Sequence, residues 1–485
     1  MATPRIWESV REHARRSPHA EALRWTGGAL TYGALVASAR EVAREAAPGP
    51  GGVGIVRADR AGAAVIAVLA AQEAGLPALV IPQEAGAGYV EALHRDLGPN
   101  TGQDPYRGFR RRPPEAPAPS ASEASPERGG LWTTTSGSTG APKIVAHDPH
   151  GIDRFTDWAR TRFSLTPDDA SLSLSPVNFD IATLDVWAVL RAGGRVVFAA
   201  RQDLTDGRAL AAAIDSHRVT LVQGVPVVLT LLAGAAATSR WPRTVVSTGD
   251  FFPPDAVPGL AAAFPRAELL SVYGSTETND SFVLDLRTAA PGELGTPIEG
   301  VSHRVEPVAS GAAGSFGAAA PDGAGRTGEL VVSTPFQALG YANAPNDAWR
   351  TTGGTREFRT GDLVTVAPDG TLCLIGRADR QVKVRGVRVS LDDVEAVLRR
   401  QDGVADAVVA AVSTAANDRE VVAAVRLRSV GASSNLALRA AAARALHRAA
   451  VPSRILLTTD PFPVTGTGKT DREGTIARHI ERRPA

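Results

Sequence analysis

The stretch LWTTTSGSTGAPKIV, residues 131–145, joins a strand-like run to a loop of small polar residues. Six of the eight residues from Thr133 to Gly140 are Ser or Thr, the other two are Gly, and Lys143 follows. Hydroxyl groups, backbone N–H groups left accessible by glycine and a nearby ammonium group suit the binding of phosphate. The spacing does not match a Walker P-loop, in which the second glycine directly precedes the lysine. A Ser/Thr/Gly linker is the alternative interpretation.

The whole chain has 485 residues, enough for two or more domains. With 44% hydrophobic and 21% charged residues, it has the composition of a folded globular protein. The net charge of +1 gives no reason to expect nucleic acid or an anionic membrane as a partner. Cys373 is the only cysteine, which excludes an intramolecular disulfide and a cysteine-based metal cluster. The N-terminus lacks the apolar core of a signal peptide, so we expect a cytoplasmic enzyme.

Apolar runs alternate with helix-like segments over most of the chain, which predicts an α/β fold with layered sheets. The runs at 51–56 and 77–82 flank one such helix, and four further runs follow between residues 195 and 274. Short strands with glycine-rich turns predict a β subdomain from about residue 295 to 378. A small α+β pattern follows, with Ser390 as the expected N-cap of its first helix. The predicted domains are therefore an N-terminal core, 1–378, and a C-terminal domain, 379–485.

Six motifs follow one another in the order found in the adenylate-forming superfamily, which they resemble. They are TSGSTGAPK (135–143), VYGSTET (272–278), GELVVSTPFQALGY (328–341), FRTGDLV (358–364), GRADRQVKVRGVRVSLDDVE (376–395) and PVTGTGKTDR (463–472). This superfamily includes acyl- and aryl-CoA synthetases, luciferases and the adenylation domains of nonribosomal peptide synthetases. The resemblance implies a large N-terminal domain and a small mobile C-terminal domain that carries a catalytic lysine. It also implies that a substrate carboxylate attacks the α-phosphate of ATP, giving an acyl-adenylate and pyrophosphate.

The resemblance assigns roles in ATP binding to the matching residues. Tyr273 would stack on adenine, Thr276 would reach the α-phosphate, and Glu277 would help to hold Mg²⁺, which prefers oxygen ligands. Contacts to the β- and γ-phosphates would come from residues of the first motif: Thr135, Ser136, Ser138, Thr139 and Lys143.

The later motifs supply the ribose site, the catalytic lysine and the hinge that the resemblance implies. Asp362 would accept hydrogen bonds from the ribose hydroxyls, with Arg377 nearby. Lys469 would bridge the substrate carboxylate and the α-phosphate, where negative charge develops. Asp379 matches the hinge about which the C-terminal domain turns between adenylation and thioester formation. Taken singly, each residue also fits an ordinary surface or structural role, and the case depends on their joint order.

The segment SPVNFDIATLDVW, residues 175–187, indicates the class of acid. It resembles the S-F-D-A-S-x-x-E-x-W segment of amino-acid adenylation domains more than the His-containing segment of CoA synthetases. The aspartate that matches Asp180 binds the substrate ammonium there, and a buried ammonium needs such a partner. Capping of the following helix is the alternative role of Asp180. The resemblance places eight further residues around the substrate side chain: Ile181, Leu184, Gln223, Val246, Thr248, Val272, Asp280 and Ser281.

These observations predict a ligase that activates an α- or β-amino acid with ATP in natural-product or antibiotic biosynthesis. The acyl group would then pass to the phosphopantetheine thiol of a carrier protein. We expect that carrier on a separate chain, because no attachment signature follows Lys469. The alternatives are an acyl- or aryl-CoA synthetase, which Asp180 disfavours, and a non-catalytic relative, which the presence of Lys469, Glu277 and Asp362 disfavours. The particular amino acid, the identity of the carrier and the use of CoA in its place stay open.

Overall fold

The computed structural model describes residues 5–45, 53–57, 62–83, 85, 89–91, 93, 130–135, 143–235, 237–290, 292–307, 326–377, 380–385, 387–414, 418–463 and 472–481. The chain divides into two compact units. The larger holds nearly all described residues up to Gly376, and the smaller holds those from Arg377 onward. The predicted boundary between residues 378 and 379 lies outside the described residues and stays a prediction.

The larger unit contains three β-sheets and the helices that cover them. Its helices are α1 (Arg5–Arg16), α2 (Tyr32–Glu45), α3 (Ala63–Glu73), α4 (Pro149–Arg162), α5 (Val189–Ala192), α6 (Gly207–Ser216), α7 (Pro226–Gly234) and α8 (Val257–Ala263). A π-helical turn, Thr183–Ala188, leads into α5. Its strands are β1 (Glu21–Trp25), β2 (Gly28–Thr31), β3 (Gly54–Arg57), β4 (Ala78–Ile81), β5 (Leu131–Thr135), β6 (Lys143–Ala146), β7 (Ala170–Ser173), β8 (Arg195–Phe198), β9 (Leu221–Gly224), β10 (Thr244–Thr248), β11 (Glu268–Ser275), β12 (Asn279–Asp285), β13 (Thr296–Pro297), β14 (Ser302–Pro307), β15 (Thr327–Ser333), β16 (Gly340–Tyr341), β17 (Trp349–Thr352), β18 (Thr355–Val366) and β19 (Leu372–Arg377).

The largest sheet has nine strands in the order β13-β12-β11-β10-β9-β7-β8-β1-β2. Its central strands, from β1 to β11 in that order, pair in parallel. Successive residues of β10 and β11 point to opposite faces, as in any strand. Val246 and Leu270 therefore join the apolar cluster that contains Phe155 and Trp187. The residues that precede them join the cluster formed with α6, α7 and α8. The predicted layered α/β core is confirmed.

The second sheet has five strands in the order β16-β6-β5-β4-β3. Strands β3 and β4 are parallel and joined through α3, which confirms the strand–helix–strand unit predicted near residues 51–82. Strands β5 and β6 are antiparallel, with Thr135 opposite Lys143. The two residues that flank positions 136–142 are therefore directly opposite each other in one β-ladder.

The third sheet pairs β14-β15-β18-β17, and β19 lies against β18. These short antiparallel strands confirm the β subdomain expected between about 295 and 378. The predicted turn at 368–370 connects β18 to β19, with Gly370 N–H donating to the carbonyl of Ala367 at 2.9 Å. Gly370 has a φ of 90°, a conformation that glycine adopts without steric cost.

The smaller unit is the α+β domain that the sequence predicts. It contains β20 (Gln381–Val384), β21 (Val387–Ser390), β22 (Val404–Ser413), β23 (Arg419–Leu427) and β24 (Arg454–Thr458), with helices α9 (Leu391–Arg399), α10 (Asn435–Ala445) and α11 (Arg472–Ile476). Helix α9 starts where predicted, because the Ser390 hydroxyl accepts a hydrogen bond from Asp393 N–H at 3.1 Å. Among the described helices, none combines the length and the apolar character needed to cross a membrane.

A fully buried carboxylate, Glu395 of α9, stabilises the smaller unit. Its oxygens accept hydrogen bonds from Arg399 at 2.9 Å and from Arg380 and Arg472 at 3.1 Å each. Val409 N–H donates to it at 3.0 Å. Because the arginines belong to segments far apart in the sequence, this one side chain connects α9, the start of α11 and the strands beside them.

We expect Glu395→Gln to destabilise the smaller unit by about 2 kcal/mol, because the buried amide of Gln cannot accept all the charged hydrogen bonds that the carboxylate accepts from three partly exposed arginines. Hydrogen exchange of the amides in β22 and β23 measures the change locally, and the amides of β9–β11 serve as an internal reference. Asp392→Asn is the matched control, since this carboxylate also pairs with Arg380 but its side chain is 53% exposed. The control should cost less than about 1 kcal/mol. Equal losses of protection in both variants would contradict the account.

Candidate active site

The predicted substrate-pocket residues lie at the carboxyl ends of adjacent parallel strands. Gln223 of β9 pairs with Val246 of β10, and Thr248 of β10 pairs with Val272 of β11. Paired residues of neighbouring strands share a face of the sheet, so these four side chains lie on one face. Crevices outside the carboxyl ends of parallel strands are the usual ligand sites of α/β sheets. The structure therefore brings these predicted residues together.

Gln223 is a buried polar residue in this otherwise largely apolar group. It is 1% exposed, and within the described part of the chain its Oε1 atom has no hydrogen-bond partner. Leaving such an acceptor unpaired costs roughly 1–3 kcal/mol. The amide oxygen is therefore a candidate acceptor for a ligand or an ordered water.

Asp180 lies half-buried in the turn that follows β7. Its Oδ1 atom accepts a hydrogen bond from Ile181 N–H at 3.0 Å. The cap position of the π-helical turn is Ala182, and the Asp180 carbonyl accepts a hydrogen bond from Thr183 N–H at 2.8 Å. The capping role considered for Asp180 stays a prediction. Leu184, four residues further on, is buried in the same apolar cluster as Val246 and Val272. The segment thus brings a carboxylate close in sequence to one wall of the candidate pocket.

The two remaining predicted pocket residues begin the strand after the β11–β12 turn. Asp280 is half-buried and pairs with Gly274 across the hairpin. Ser281 is fully buried, and its hydroxyl donates to the Asn279 carbonyl at 3.3 Å. Asn279 has a φ of 57°, which lets the tight turn close.

The same turn carries Glu277, whose side chain is 2% exposed. The Tyr341 hydroxyl donates to Glu277 Oε1 at 2.7 Å. The Glu277 carbonyl accepts from Ala338 N–H at 2.8 Å. Thr276 beside it is half-buried. A buried carboxylate is thereby fixed through both its backbone and its side chain.

Lys143 reaches the other side of the same tyrosine. Its ammonium nitrogen lies 4.7 Å from the centre of the Tyr341 ring, within range of a cation–π interaction. Thr135 faces Lys143 across the β5–β6 ladder. Tyr341 was not predicted as a site residue, although it ends the motif GELVVSTPFQALGY, because nothing in the motif shows which residues it contacts.

Tyr273 and Asp362, predicted to bind adenine and ribose, are in direct contact. The Tyr273 hydroxyl donates to Asp362 Oδ2. The ring of Tyr273 packs edge-on against Phe282, with centres 5.8 Å apart. Asp362 is buried on β18, and Arg377 ends the adjacent strand β19. The structure therefore joins the end of β11 to the third sheet at this pair.

His147 is a buried histidine near Glu277 that the sequence analysis did not single out. Burial lowers the pKa of His147 to about 4, and the negative charge of Glu277 acts in the opposite direction. Its Nε2 atom hydrogen-bonds the Thr133 hydroxyl at 2.8 Å. The imidazole is therefore neutral at neutral pH.

Glu277 has the chemistry of a Mg²⁺ ligand, since this hard cation is commonly bound through one or two carboxylates together with substrate phosphates. In the described ranges, no three His, Cys, Asp or Glu side chains are grouped as a metal site. A single buried carboxylate such as Glu277 fits a metal that is held jointly by the protein and the nucleotide. Five predicted residues lie outside the described residues: Ser136, Ser138, Thr139, Asp379 and Lys469.

Comparison with curated proteins finds relatives over most of the chain. It is 34% identical over 368 residues to phenyloxazoline synthase MbtB of Mycobacterium sp. (strain MCS), covering 73% of this chain and 30% of that protein. It is 30% identical over 358 residues to an L-proline–[L-prolyl-carrier protein] ligase of Pseudomonas fluorescens, covering 72% of this chain and 68% of that protein. The chain thus spans about a third to two thirds of the length of these relatives.

A solved structure with a similar fold is holo-PA1221, described as an NRPS protein containing adenylation and PCP domains. The TM-score is 0.76 at 25% identity, covering 98% of this chain and 84% of that one. Two family models also match: AMP-binding enzyme over residues 101–342 and AMP-binding enzyme C-terminal domain over residues 393–469. The chain therefore belongs to the AMP-binding enzymes, the adenylate-forming superfamily that its motifs resemble.

Proposed function

We propose that this enzyme activates an amino acid as its aminoacyl-adenylate and then transfers the aminoacyl group to a carrier-protein thiol. The observation that carries the proposal is the half-buried carboxylate of Asp180, four residues before Leu184 in the candidate pocket. A fatty or aryl acid has no positive charge to offer such a group. An α- or β-amino acid does, and its ammonium would stabilise the carboxylate away from bulk water.

The side-chain pocket follows from the same placement. Leu184, Val246 and Val272 supply apolar wall, while Gln223 offers an amide oxygen that has no partner within the described residues. Ile181, Thr248, Asp280 and Ser281 complete the proposed set. A mixed lining of this kind suits a small or partly polar amino-acid side chain.

The nucleotide would lie between the Tyr273–Asp362 pair and the Tyr341–Glu277 pair. Tyr273 would stack on adenine, and Asp362 and Arg377 would hold the ribose. Thr135 and Lys143 flank the proposed phosphate loop, to which Ser136, Ser138 and Thr139 belong. Glu277 would hold Mg²⁺, which when bound neutralises charge on the phosphate oxygens.

Adenylation would form a bond between a substrate carboxylate oxygen and the α-phosphorus. The bond to the β-phosphate oxygen breaks, and pyrophosphate leaves with that electron pair. Thr276 and Lys469 would stabilise the charge that develops on the α-phosphate. Lys143, Lys383 and Lys469 are the only lysines in a chain rich in arginine. A compact ammonium group suits a point contact with phosphate, which supports roles for Lys143 and Lys469.

In the second step, the phosphopantetheine thiol of the carrier attacks the acyl carbon and AMP leaves. The names of the L-proline–carrier protein ligase and of the adenylation–PCP protein support a carrier as partner. Rotation about Asp379 would turn the proposed C-terminal domain, 379–485, between two orientations. One would serve adenylation, for which Lys469 is needed, and the other would serve thioester formation. We propose a cytoplasmic location, where ATP is supplied.

Asp180→Asn should reduce amino-acid-dependent pyrophosphate exchange about 100-fold, because the substrate ammonium loses its counter-charge, worth about 3 kcal/mol. The effect should appear in the KM for the amino acid and not in that for ATP. Asp168→Asn is the matched control, since Asp168 is an exposed aspartate near the same strand. Unchanged kinetics in Asp180→Asn would refute the assignment.

Lys469→Ala should slow adenylate formation by roughly 100- to 1,000-fold, the usual cost of removing one group that stabilises transition-state charge. Single-turnover formation of the adenylate measures this step directly. Transfer from a supplied aminoacyl-adenylate to the thiol should stay within about threefold of wild type, because Lys469 is needed in the first step. A threefold change corresponds to ~0.7 kcal/mol. Arg478→Ala removes an exposed cation from the same unit and serves as the control. Wild-type adenylation in Lys469→Ala would overturn the role of this lysine.

A further inference from the structure

One tyrosine contacts two groups with opposite charges in the proposed ATP site. Tyr341 donates its hydroxyl hydrogen to Glu277 Oε1 at 2.7 Å. The centre of its ring lies 4.7 Å from Lys143 Nζ. Glu277 and Lys143 are 134 residues apart in the chain, and Tyr341 comes from a third segment. Its side chain is thus a physical link between the β11–β12 turn and the β5–β6 hairpin.

The backbone around Tyr341 connects the same two elements. We call residues 338–343 the bridging segment. At one end Ala338 N–H donates to the Glu277 carbonyl at 2.8 Å. At the other end Asn343 Oδ1 accepts from Ile144 N–H at 2.7 Å, and β16 pairs with β6 between them. The bridging segment therefore fixes the distance between the metal-binding candidate and the phosphate-binding candidate.

Packing and hydrogen bonds hold the bridging segment in place. Trp349 packs edge-on against the Tyr341 ring, with centres 4.8 Å apart. Asn346 Oδ1 accepts from Tyr341 N–H at 2.7 Å. The Arg356 guanidinium donates to the carbonyls of Ala338 and Leu339 at 2.6 Å each. Trp349, Asn346 and Arg356 thus preorganise the tyrosine.

We propose that Tyr341 is a positioning residue for the magnesium–ATP complex, orienting Glu277 toward the metal and supporting Lys143 at the phosphates. The proposal rests on the proposed function, from which it takes the roles of Glu277 and Lys143. Residues that hydrogen-bond a metal ligand fix its direction, and their loss typically lowers metal affinity about 10- to 100-fold.

The chemistry of a phenol suits this position. A hydroxyl donates one hydrogen bond and leaves the full negative charge on Glu277, whereas an arginine or lysine in the same place would neutralise it. A carboxylate has about four acceptor sites, so one hydrogen bond is compatible with coordination of a cation. The negative face of the ring meanwhile attracts the Lys143 ammonium without forming an ion pair.

Two variants separate the hydroxyl from the ring. Tyr341→Phe removes the hydroxyl that donates to Glu277 and keeps the ring, and Tyr341→Leu also removes the ring beneath Lys143. Calorimetric titration of ATP, with and without Mg²⁺, gives a readout that does not depend on turnover. The Mg²⁺ concentration for half-maximal pyrophosphate exchange gives a second readout.

For Tyr341→Phe we expect a rise of about tenfold in the half-saturating Mg²⁺ concentration. Its affinity for ATP without Mg²⁺ should stay within about twofold of wild type, because the ring beneath Lys143 is retained. Tyr341→Leu should in addition bind ATP without Mg²⁺ about two- to fivefold more weakly, the loss of one cation–π interaction. The proposal would be overturned if Tyr341→Phe weakened ATP binding equally with and without Mg²⁺, or if it left the half-saturating Mg²⁺ concentration unchanged.

Tyr32→Phe is the matched control, because it also removes one buried tyrosine hydroxyl. The Tyr32 hydroxyl donates to the carbonyls of Leu190 and Gly194, which belong to none of the proposed sites. It should lower the melting temperature and leave the Mg²⁺ dependence unchanged. Glu277→Gln distinguishes a wrong assignment of Glu277 from a wrong role for Tyr341. If it leaves the Mg²⁺ dependence of ATP binding unchanged, the assignment of Glu277 fails and the proposal with it. If it changes that dependence while Tyr341→Phe does not, the proposal alone is refuted.

Discussion

The parallel register of β7, β9, β10 and β11 is the constraint on which the candidate site depends. It brings the carboxyl ends of these strands to one edge of the sheet, so residues widely separated in sequence share one face. The antiparallel return of β12 closes that edge and places Glu277 in the turn. A shift of one residue in any pair would turn Gln223 or Val272 to the opposite face, into the other apolar cluster.

Five buried carboxylates illustrate two different kinds of hydrogen-bond partner. Asp169, Glu329 and Glu395 each pair with at least one arginine, as expected for acids whose role is structural. Glu277 and Asp362 each accept a hydrogen bond from a tyrosine hydroxyl. A neutral donor satisfies a buried oxygen without cancelling its charge, which keeps a carboxylate able to bind a cation or the hydroxyls of a sugar. This difference in partners agrees with the roles proposed for the two tyrosine-bonded acids.

The sequence could predict local features because their causes are local. The Ser390 cap, the turn at 368–370 and the strand–helix–strand unit around α3 all depend on residues close together in the chain. The resemblance also named pocket residues that the structure places at the ends of neighbouring strands. It could not predict that Tyr341 contacts Glu277 and Lys143 or that Tyr273 contacts Asp362, since these pairs form only when separate sheets pack.

Amino-acid specificity of the first half-reaction is the central claim, and one measurement tests it most directly. Substrate-dependent pyrophosphate exchange by the unmodified enzyme should be compared across α- and β-amino acids and the matching acids that lack the amino group. The account predicts that at least one amino acid supports exchange and that its des-amino partner is at least about 100-fold poorer, the loss of one charge pair worth about 3 kcal/mol. A fatty or benzoic acid that supports faster exchange than every amino acid would contradict it.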